Sequence, residues 1–299
     1  MAAPDQLPFA GLPTRLFACT PSRLAAFDCP RRYRFTYVDR PRPVKGPPWA
    51  HNSVGAAAHL ALARWWDLLP QHRTPARGAE LVRRNWTSPG VPPTGRCSSP
   101  VGGGFRDQEQ SDEARERTAG WVEAYLTDLD PAHEPVGVER TVGAPAGRLS
   151  ISGRVDRIDE AEDRSLVVVD YKTGRRPLSD ADARGSLALA LYVLGTRRAL
   201  RRDCRRVELH HLPTGDVLSY EHTEQSLARH LARAEATADD IQAALDTVES
   251  GADPDEVFAA RPSPACSWCD FRAHCPEGRA ASNPVDPWAG LGDCVPAGE

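Results

Sequence analysis

The sequence predicts an α/β fold with a central mixed β-sheet flanked by helices. Three strand-like segments follow one another between residues 135 and 171, and apolar residues at helical spacing lie on both sides of them. The third observation is a hydrophobic content of 40% against 26% charged residues over 299 positions. That balance describes a soluble globular chain able to bury a substantial core.

A first helix is expected over residues 20–37. Thr20 can cap it, Pro21 suits its first turn, Leu24, Phe27 and Tyr33 supply apolar positions, and Cys29-Pro30 interrupts it. A proline-rich link over 41–48 leads to a helix over 52–68, in which Val54, Ala58, Ala61, Leu62 and Trp65 share helical spacing and His59 lies among them. Residues 87–104, dense in Gly, Pro and Ser, read as an exposed loop before a polar helix over about 107–129.

Residues 135–142 and 148–158 read as strands joined by a turn at 143–147, and 165–171 as a third, very apolar strand. A helix over 182–200, short strands over 207–212 and 217–220 around Pro213-Thr214-Gly215, and a long helix over 224–249 complete the layers. The domain is expected over 14–280, with a helical insertion over about 60–133, and residues 281–299 as a flexible tail rich in Pro, Gly and Ala.

A net charge of −4 argues against a protein that coats nucleic acid by bulk attraction, so any DNA contact must be a local patch. Residues 1–9 lack a basic start followed by an apolar run, and the apolar stretch over 54–66 is too short to span a bilayer. The expectation is no membrane and a cytoplasmic location. There the eight cysteines point to metal ligation wherever they cluster, rather than to disulfides. Of the 37 basic residues only Lys45 and Lys172 are lysine, which suggests that a retained lysine serves a site needing a compact amine. Neither lysine follows a glycine, so the chain carries no P-loop.

Asp170 and Lys172 lie two apart on their strand and therefore on one face, with Tyr171 on the other. If the preceding strand pairs alongside, Asp156 comes beside Asp170 and offers carboxylate oxygens suited to Mg²⁺ or Mn²⁺. Taken alone, the same residues also read as polar strand positions and a strand end. Their arrangement, Val155-Asp156 followed by Asp170-Tyr171-Lys172, resembles the PD-(D/E)XK nuclease superfamily, with valine where the family name has proline. Gly55-Ala56-Ala57-Ala58-His59 resembles the Gly-X3-His motif of its RecB-type branch, and Tyr192 sits at the tyrosine of that branch's Gln-X3-Tyr, with Ala188 in place of glutamine.

The resemblance implies a restriction-endonuclease-like core and exonuclease-like hydrolysis of DNA phosphodiester bonds, in repair or recombination. It implies a metal held by His59, Asp156, Asp170 and Tyr171, and catalytic roles for Asp156, Asp170, Lys172 and Tyr192. It also implies action on DNA ends or single strands, with any helicase on a separate chain. His59 and Tyr192 each have a plain reading as core residues. The absent glutamine leaves open a non-catalytic DNA-binding or scaffold protein.

Cys266-X2-Cys269-X5-Cys275-Pro276 is a tight thiolate cluster for which Cys29 is the best fourth ligand. The residues suit structural Zn²⁺ as well as iron, and His274 could replace a cysteine. One cysteine near the N-terminus and three near the C-terminus resemble the iron-sulfur nucleases of the same branch, which implies a [4Fe-4S] cluster. Cys19, Cys97, Cys204 and Cys294 read as ordinary thiols. Arg197, Arg198, Arg201, Arg202, Arg205 and Arg206, with Arg175 and Arg176, read either as a phosphate track or as a solvated helix end.

Overall fold

The computed structural model describes residues 16–86 and 103–292. Its sheet starts from the hairpin of β2 (Gly137–Ala146) and β3 (Leu149–Glu160). The turn is Gly147-Arg148, tighter and later than the sequence suggests, and Gly147 takes a positive φ of 54° that a side chain would disfavour. Gly143 lies inside β2 opposite Ser152.

β4 (Leu166–Lys172) runs antiparallel to β3, β5 (Cys204–His211) parallel to β4, and β6 (Val217–Glu221) antiparallel to β5. A short β1 (Phe17–Cys19) pairs in parallel with the start of β3. The strand order is β1-β3-β4-β5-β6, with β2 on the other edge of β3. β1 covers residues 149–151 of β3 and β4 covers 157–160, so residues 152–156 between them have no strand partner on that edge among the described residues. This opening positions the site.

Helices cover both faces, as the sequence predicts. α1 (Pro21–Ala26) and α2 (Pro30–Tyr33) replace the single expected helix, broken where Pro30 follows Cys29. α3 (Ala50–Trp66), α4 (Pro75–Asn85) and α5 (Gln108–Thr127) pack against Val167, Val169 and Tyr171 of β4. The sequence reading missed α4, although Thr74 caps it and Pro75 starts it. α6 (Asp180–Gly185) and α7 (Leu187–Leu200) divide at Ser186, and α7 packs on Leu166 and Val168. Alternation along β4 therefore puts Asp170 and Lys172 on the α7 side and Tyr171 on the α3 side. α8 (Glu224–Glu249), α9 (Pro254–Val257) and α10 (Pro276–Ala281) follow the sheet.

The tail expectation is corrected for its first half. Trp288 and Leu291 pack on the cluster around α3, Ala50 donates its backbone N–H to Pro287 O at 3.0 Å, and Arg117 donates to Leu291 O at 3.2 Å. Partial burial of two large apolar side chains, with these two hydrogen bonds, holds the segment on the domain despite its Pro- and Gly-rich composition. Residues 293–299, the 87–102 part of the expected loop, Cys97 and Cys294 lie outside the described residues. Among the described residues no helix is long and apolar enough to cross a membrane.

Candidate active site

Asp156 lies where the β2–β3 ladder breaks. Val138 pairs with Arg157 and Arg140 with Val155, but the intervening Glu139 and Asp156 form no pair, and Glu139 takes a left-handed φ of 46°. A non-glycine residue there carries strain, which marks the position as unusual in an otherwise regular strand. The effect is to bring two carboxylates together at the opening in β3. α3 approaches from above, close enough that a Cβ on Gly55 would stand 3.2 Å from Thr173 Oγ1, and delivers His59.

The donor atoms of His59, Glu139 and Asp156 lie within 4.8 Å of one another, the one such set of His, Cys, Asp or Glu among the described residues. His59 Nδ1 is 3.3 Å from Asp156 Oδ1, and its Nε2 is 3.1 Å from Tyr171 O. Asp156 Oδ2 accepts the backbone N–H of Tyr171 at 2.9 Å, which ties β3 to β4 just beyond their last paired residues. Burial would lower the His59 pKa, but Asp156, Asp170 and Glu139 outweigh it and hold the imidazole above its ordinary value.

Asp170 and Lys172 meet as their spacing predicts, with Nζ 2.6 Å from Oδ2. Asp170 Oδ2 is buried, and the Lys172 ammonium is its close partner. Burial raises the Asp170 pKa against the opposing pull of Lys172. Burial and the neighbouring Asp156 likewise raise that of Glu139, which pairs with Arg154 at 3.0 Å.

A cleft of about 660 Å³ opens here, lined by His59, Glu139, Asp156, Arg154 and Tyr192 among others. Tyr192 reaches across β3 because residue 153 is glycine: a Cβ there would stand 2.4 Å from the Tyr192 ring. Burial, then Asp170 and Asp156, raise the Tyr192 pKa, so its hydroxyl stays protonated.

Of the expected residues, the fold thus brings His59, Asp156 and Tyr192 to one cleft, with the Tyr171 carbonyl against His59 and the Asp170–Lys172 pair on the neighbouring strand. Glu139 was missed, because a lone acid in a strand carries no spacing signal.

A buried network behind the site was also missed. Arg157, 3% exposed, donates to Tyr125 Oη at 3.0 Å, Tyr171 Oη at 3.1 Å and Asp159 Oδ2 at 3.0 Å. Tyr125 continues it through a 2.7 Å bond to His210 Nδ1, and His210 Nε2 meets Glu208 at 2.9 Å. These contacts fix the ring of the residue whose backbone touches both Asp156 and His59.

Of the two readings of the arginines over 197–206, the structure favours the helix end. Residues 197–206 lie where β5 begins, beside the start of β4, whereas Lys172 ends β4 opposite His211. Arg197 pairs with Glu224 at 2.8 Å, Arg202 with Glu160 at 2.6 Å and Arg206 with Glu208 at 2.7 Å. Arg197, Arg202 and Arg206 are thus neutralised by acids at the end of β4 and β5 away from Lys172.

Cys29, Cys266, Cys269 and Cys275 line one small cavity of about 20 Å³. The first stands where α1 gives way to α2, Cys266 lies in the 3₁₀ turn Pro264–Trp268, Cys269 just after it, and Cys275 between the turn Arg272–His274 and α10, which it caps. A Cβ on Gly278 would lie 3.3 Å from Cys275 Sγ and 3.6 Å from Cys266 Sγ, so glycine lets the chain pass beside two sulfurs. His274 instead turns to Val44 O at 2.9 Å. Burial raises the thiol pKa of Cys269 and Cys275. Cys19 and Cys204 are buried and free, as ordinary thiols.

Two carboxylates and an imidazole thus meet at the open edge of β3, with Asp170 and Lys172 at the end of β4 beside them. A family model described as "PD-(D/E)XK nuclease superfamily" matches residues 18–276, and the chain belongs to that superfamily. Among solved structures, a proposed exonuclease from Eubacterium rectale is similar at 10% identity and a TM-score of 0.43, over 79% of this chain and 84% of that one. The structure of SSO0001 is similar at 18% identity and a TM-score of 0.27, over 48% of this chain and 60% of that one. No curated protein matches the chain.

Proposed function

We propose that the protein is a metal-dependent DNA nuclease of the RecB-type, exonuclease-like branch. The observation that carries this reading is the convergence of His59, Glu139 and Asp156 within 4.8 Å, beside the Asp170–Lys172 pair. The donor set is hard oxygen with one imidazole, which suits Mg²⁺ or Mn²⁺, and the buried Asp170 carboxylate, already beside the Lys172 ammonium, adds further oxygen to it. His59, Asp156 and Asp170, with the Tyr171 carbonyl and Glu139, would hold the ion. Bound there, a divalent ion supplies Lewis-acid polarisation of the scissile phosphate and a more acidic water.

The chain's own groups supply the rest. Lys172 Nζ, nearly half exposed, can orient a water toward the phosphorus and offset the negative charge that grows in the transition state. The Tyr192 hydroxyl, kept protonated, can donate a hydrogen bond to a phosphate oxygen in the cleft. Asp156 accepts the Tyr171 N–H and so keeps the two strand ends in register.

The reading extends to a [4Fe-4S] cluster held by Cys29, Cys266, Cys269 and Cys275, with structural Zn²⁺ as the alternative; what favours a metal centre of either kind is that the four cysteines line one cavity. Either centre would clasp the two ends of the domain. The reading extends to DNA repair or recombination in the cytoplasm, on DNA ends or single strands, with any helicase on another chain.

Incubating the purified protein and its Lys172→Ala variant with labelled linear DNA and Mn²⁺ tests the reading. Cleavage by the wild type alone is expected. Intact substrate in both would favour the scaffold reading that Ala188 suggests, and equal cleavage by both would remove Lys172 from the mechanism. Anaerobic purification with visible absorption and metal analysis separates iron-sulfur, which is coloured, from colourless zinc.

A further inference from the structure

An aromatic cluster stands at the N-terminal end of α3, outside the cleft. Trp268 is 40% exposed, one of the few large apolar side chains left to solvent. Its ring centroid lies 5.0 Å from that of Trp49 and 5.6 Å from that of His51, at interplanar angles of 51° and 74°. Neither neighbour stacks flat on it. Trp49 is fixed from below, because its Nε1–H donates to Asp270 Oδ1 at 3.0 Å. Lys45 neutralises the same carboxylate at 3.0 Å, and Gly46 N–H donates to Asp270 O at 2.7 Å.

The cluster is continuous with the proposed active site. His51 opens α3, Gly55 lies beside Thr173 just past β4, and His59 is at the carboxylates, so the platform and the site stand eight residues, or about 12 Å, apart along one helix. Three residues past Lys172, Arg175 is exposed beside Gly292 and forms no ion pair among the described residues. The exposed indole offers a face for a base, and this guanidinium a charge for a phosphate.

The geometry points to a base-stacking subsite: Trp268, supported by Trp49 and His51, receives a nucleobase of single-stranded DNA, roughly two nucleotides from the phosphate in the cleft, with Arg175 as a contact for the strand's backbone. Stacking on an aromatic ring is tolerant of sequence and needs an unpaired base, which selects a single strand over a duplex. The inference deepens the nuclease reading and rests on it for the identity of the strand.

Its test uses the full chain, a fluorescent oligonucleotide and Ca²⁺ in place of Mn²⁺, so that binding is measured without cleavage. Trp268→Ala is expected to weaken binding at least about fivefold and Trp268→Phe by no more than about twofold. In the unaltered protein, moving one abasic site along the strand should weaken binding at a single position, and Trp268→Ala should flatten that profile. Because the scan on the unaltered protein needs no variant, a folding defect in Trp268→Ala cannot imitate it. Binding by Trp268→Ala within about twofold of the original, or a flat scan in the unaltered protein, overturns the subsite and leaves the aromatic patch to a protein partner. Position-dependent binding by a protein that never cuts DNA would sustain the subsite while overturning the nuclease.

Discussion

The carboxylate cleft and the cysteine cavity are built in opposite ways. The cleft hangs on β3 and β4, whose residues Val155, Val168 and Val169 are fully buried, and its groups already stand within hydrogen-bonding reach of one another. The cavity is made of short turns, and it joins Cys29 to residues more than two hundred positions away. A site on central strands holds chemistry in fixed geometry. A site on loops closes the chain and depends on whatever it binds to stay closed. The comparison assigns catalysis to the first and cohesion of the termini to the second.

Substitution in the cleft gives the sharpest break. Lys172→Ala should lower the cleavage rate by about 10²–10³-fold, the scale of losing one charged contact made in the transition state. DNA binding in Ca²⁺ should stay within about twofold, since the loss is not of ground-state affinity. Asp156→Asn should match the rate loss and also raise the Mn²⁺ concentration needed, because it faces His59 and accepts the Tyr171 N–H. An unchanged Mn²⁺ requirement in Asp156→Asn would detach this residue from the ion.

Cys275→Ser probes the other region. It should release the bound metal and lower the melting temperature by on the order of 5–10 °C, while molecules that remain folded keep their cleavage rate. A variant that keeps its melting temperature but loses cleavage would reverse the assignment of roles.

Behind the cleft, Tyr171→Phe removes only the hydroxyl that Arg157 holds at 3.1 Å. Leaving a buried guanidinium one acceptor short should cost about 1–3 kcal/mol in a denaturation experiment. A severalfold higher Mn²⁺ requirement should accompany it if the network positions the strand end. Stability loss with an unchanged Mn²⁺ requirement would make the network structural alone.

What was legible in the sequence follows the same division. The Asp170-Tyr171-Lys172 spacing and the cysteine spacing are local patterns, and both sets of residues do gather in the fold. Glu139 could not be read, because it acts through a left-handed backbone that breaks a ladder, and no residue type announces that. Arg157 reads as a charged strand residue, and its burial depends on Tyr125 of α5 and Tyr171 of β4 arriving beside Asp159 of its own strand. The arginine run stayed open between two readings for the converse reason: its pattern is local, but its acidic partners Glu160, Glu208 and Glu224 are scattered along the chain. The helices survived because apolar spacing is local, whereas the docking of Trp288 and Leu291 depends on a distant core.

The smallest effect expected is a pH dependence of the cleft that the cysteine region does not share. Burial and then Asp156 hold the Glu139 carboxyl above the usual range, burial does the same for Asp170 against Lys172, and three carboxylates hold His59 above its ordinary value despite burial. A group whose pKa is higher in the folded state binds its proton more tightly when folded. Its contribution is therefore complete below the unfolded pKa, about 4 for the carboxyls and about 6.5 for His59, and is lost as pH rises through the folded value. All three groups thus make the metal-free protein less stable from mildly acidic to mildly alkaline pH. A divalent ion must displace those same protons, so its affinity rises over the interval in which they leave. Saturating Mn²⁺ should raise the melting temperature by a few degrees more at about pH 8 than at about pH 5.5. The difference should vanish in Asp156→Asn and persist in Cys275→Ser. An equal Mn²⁺ shift at both pH values would mean that the ion binds away from His59, Glu139 and Asp170.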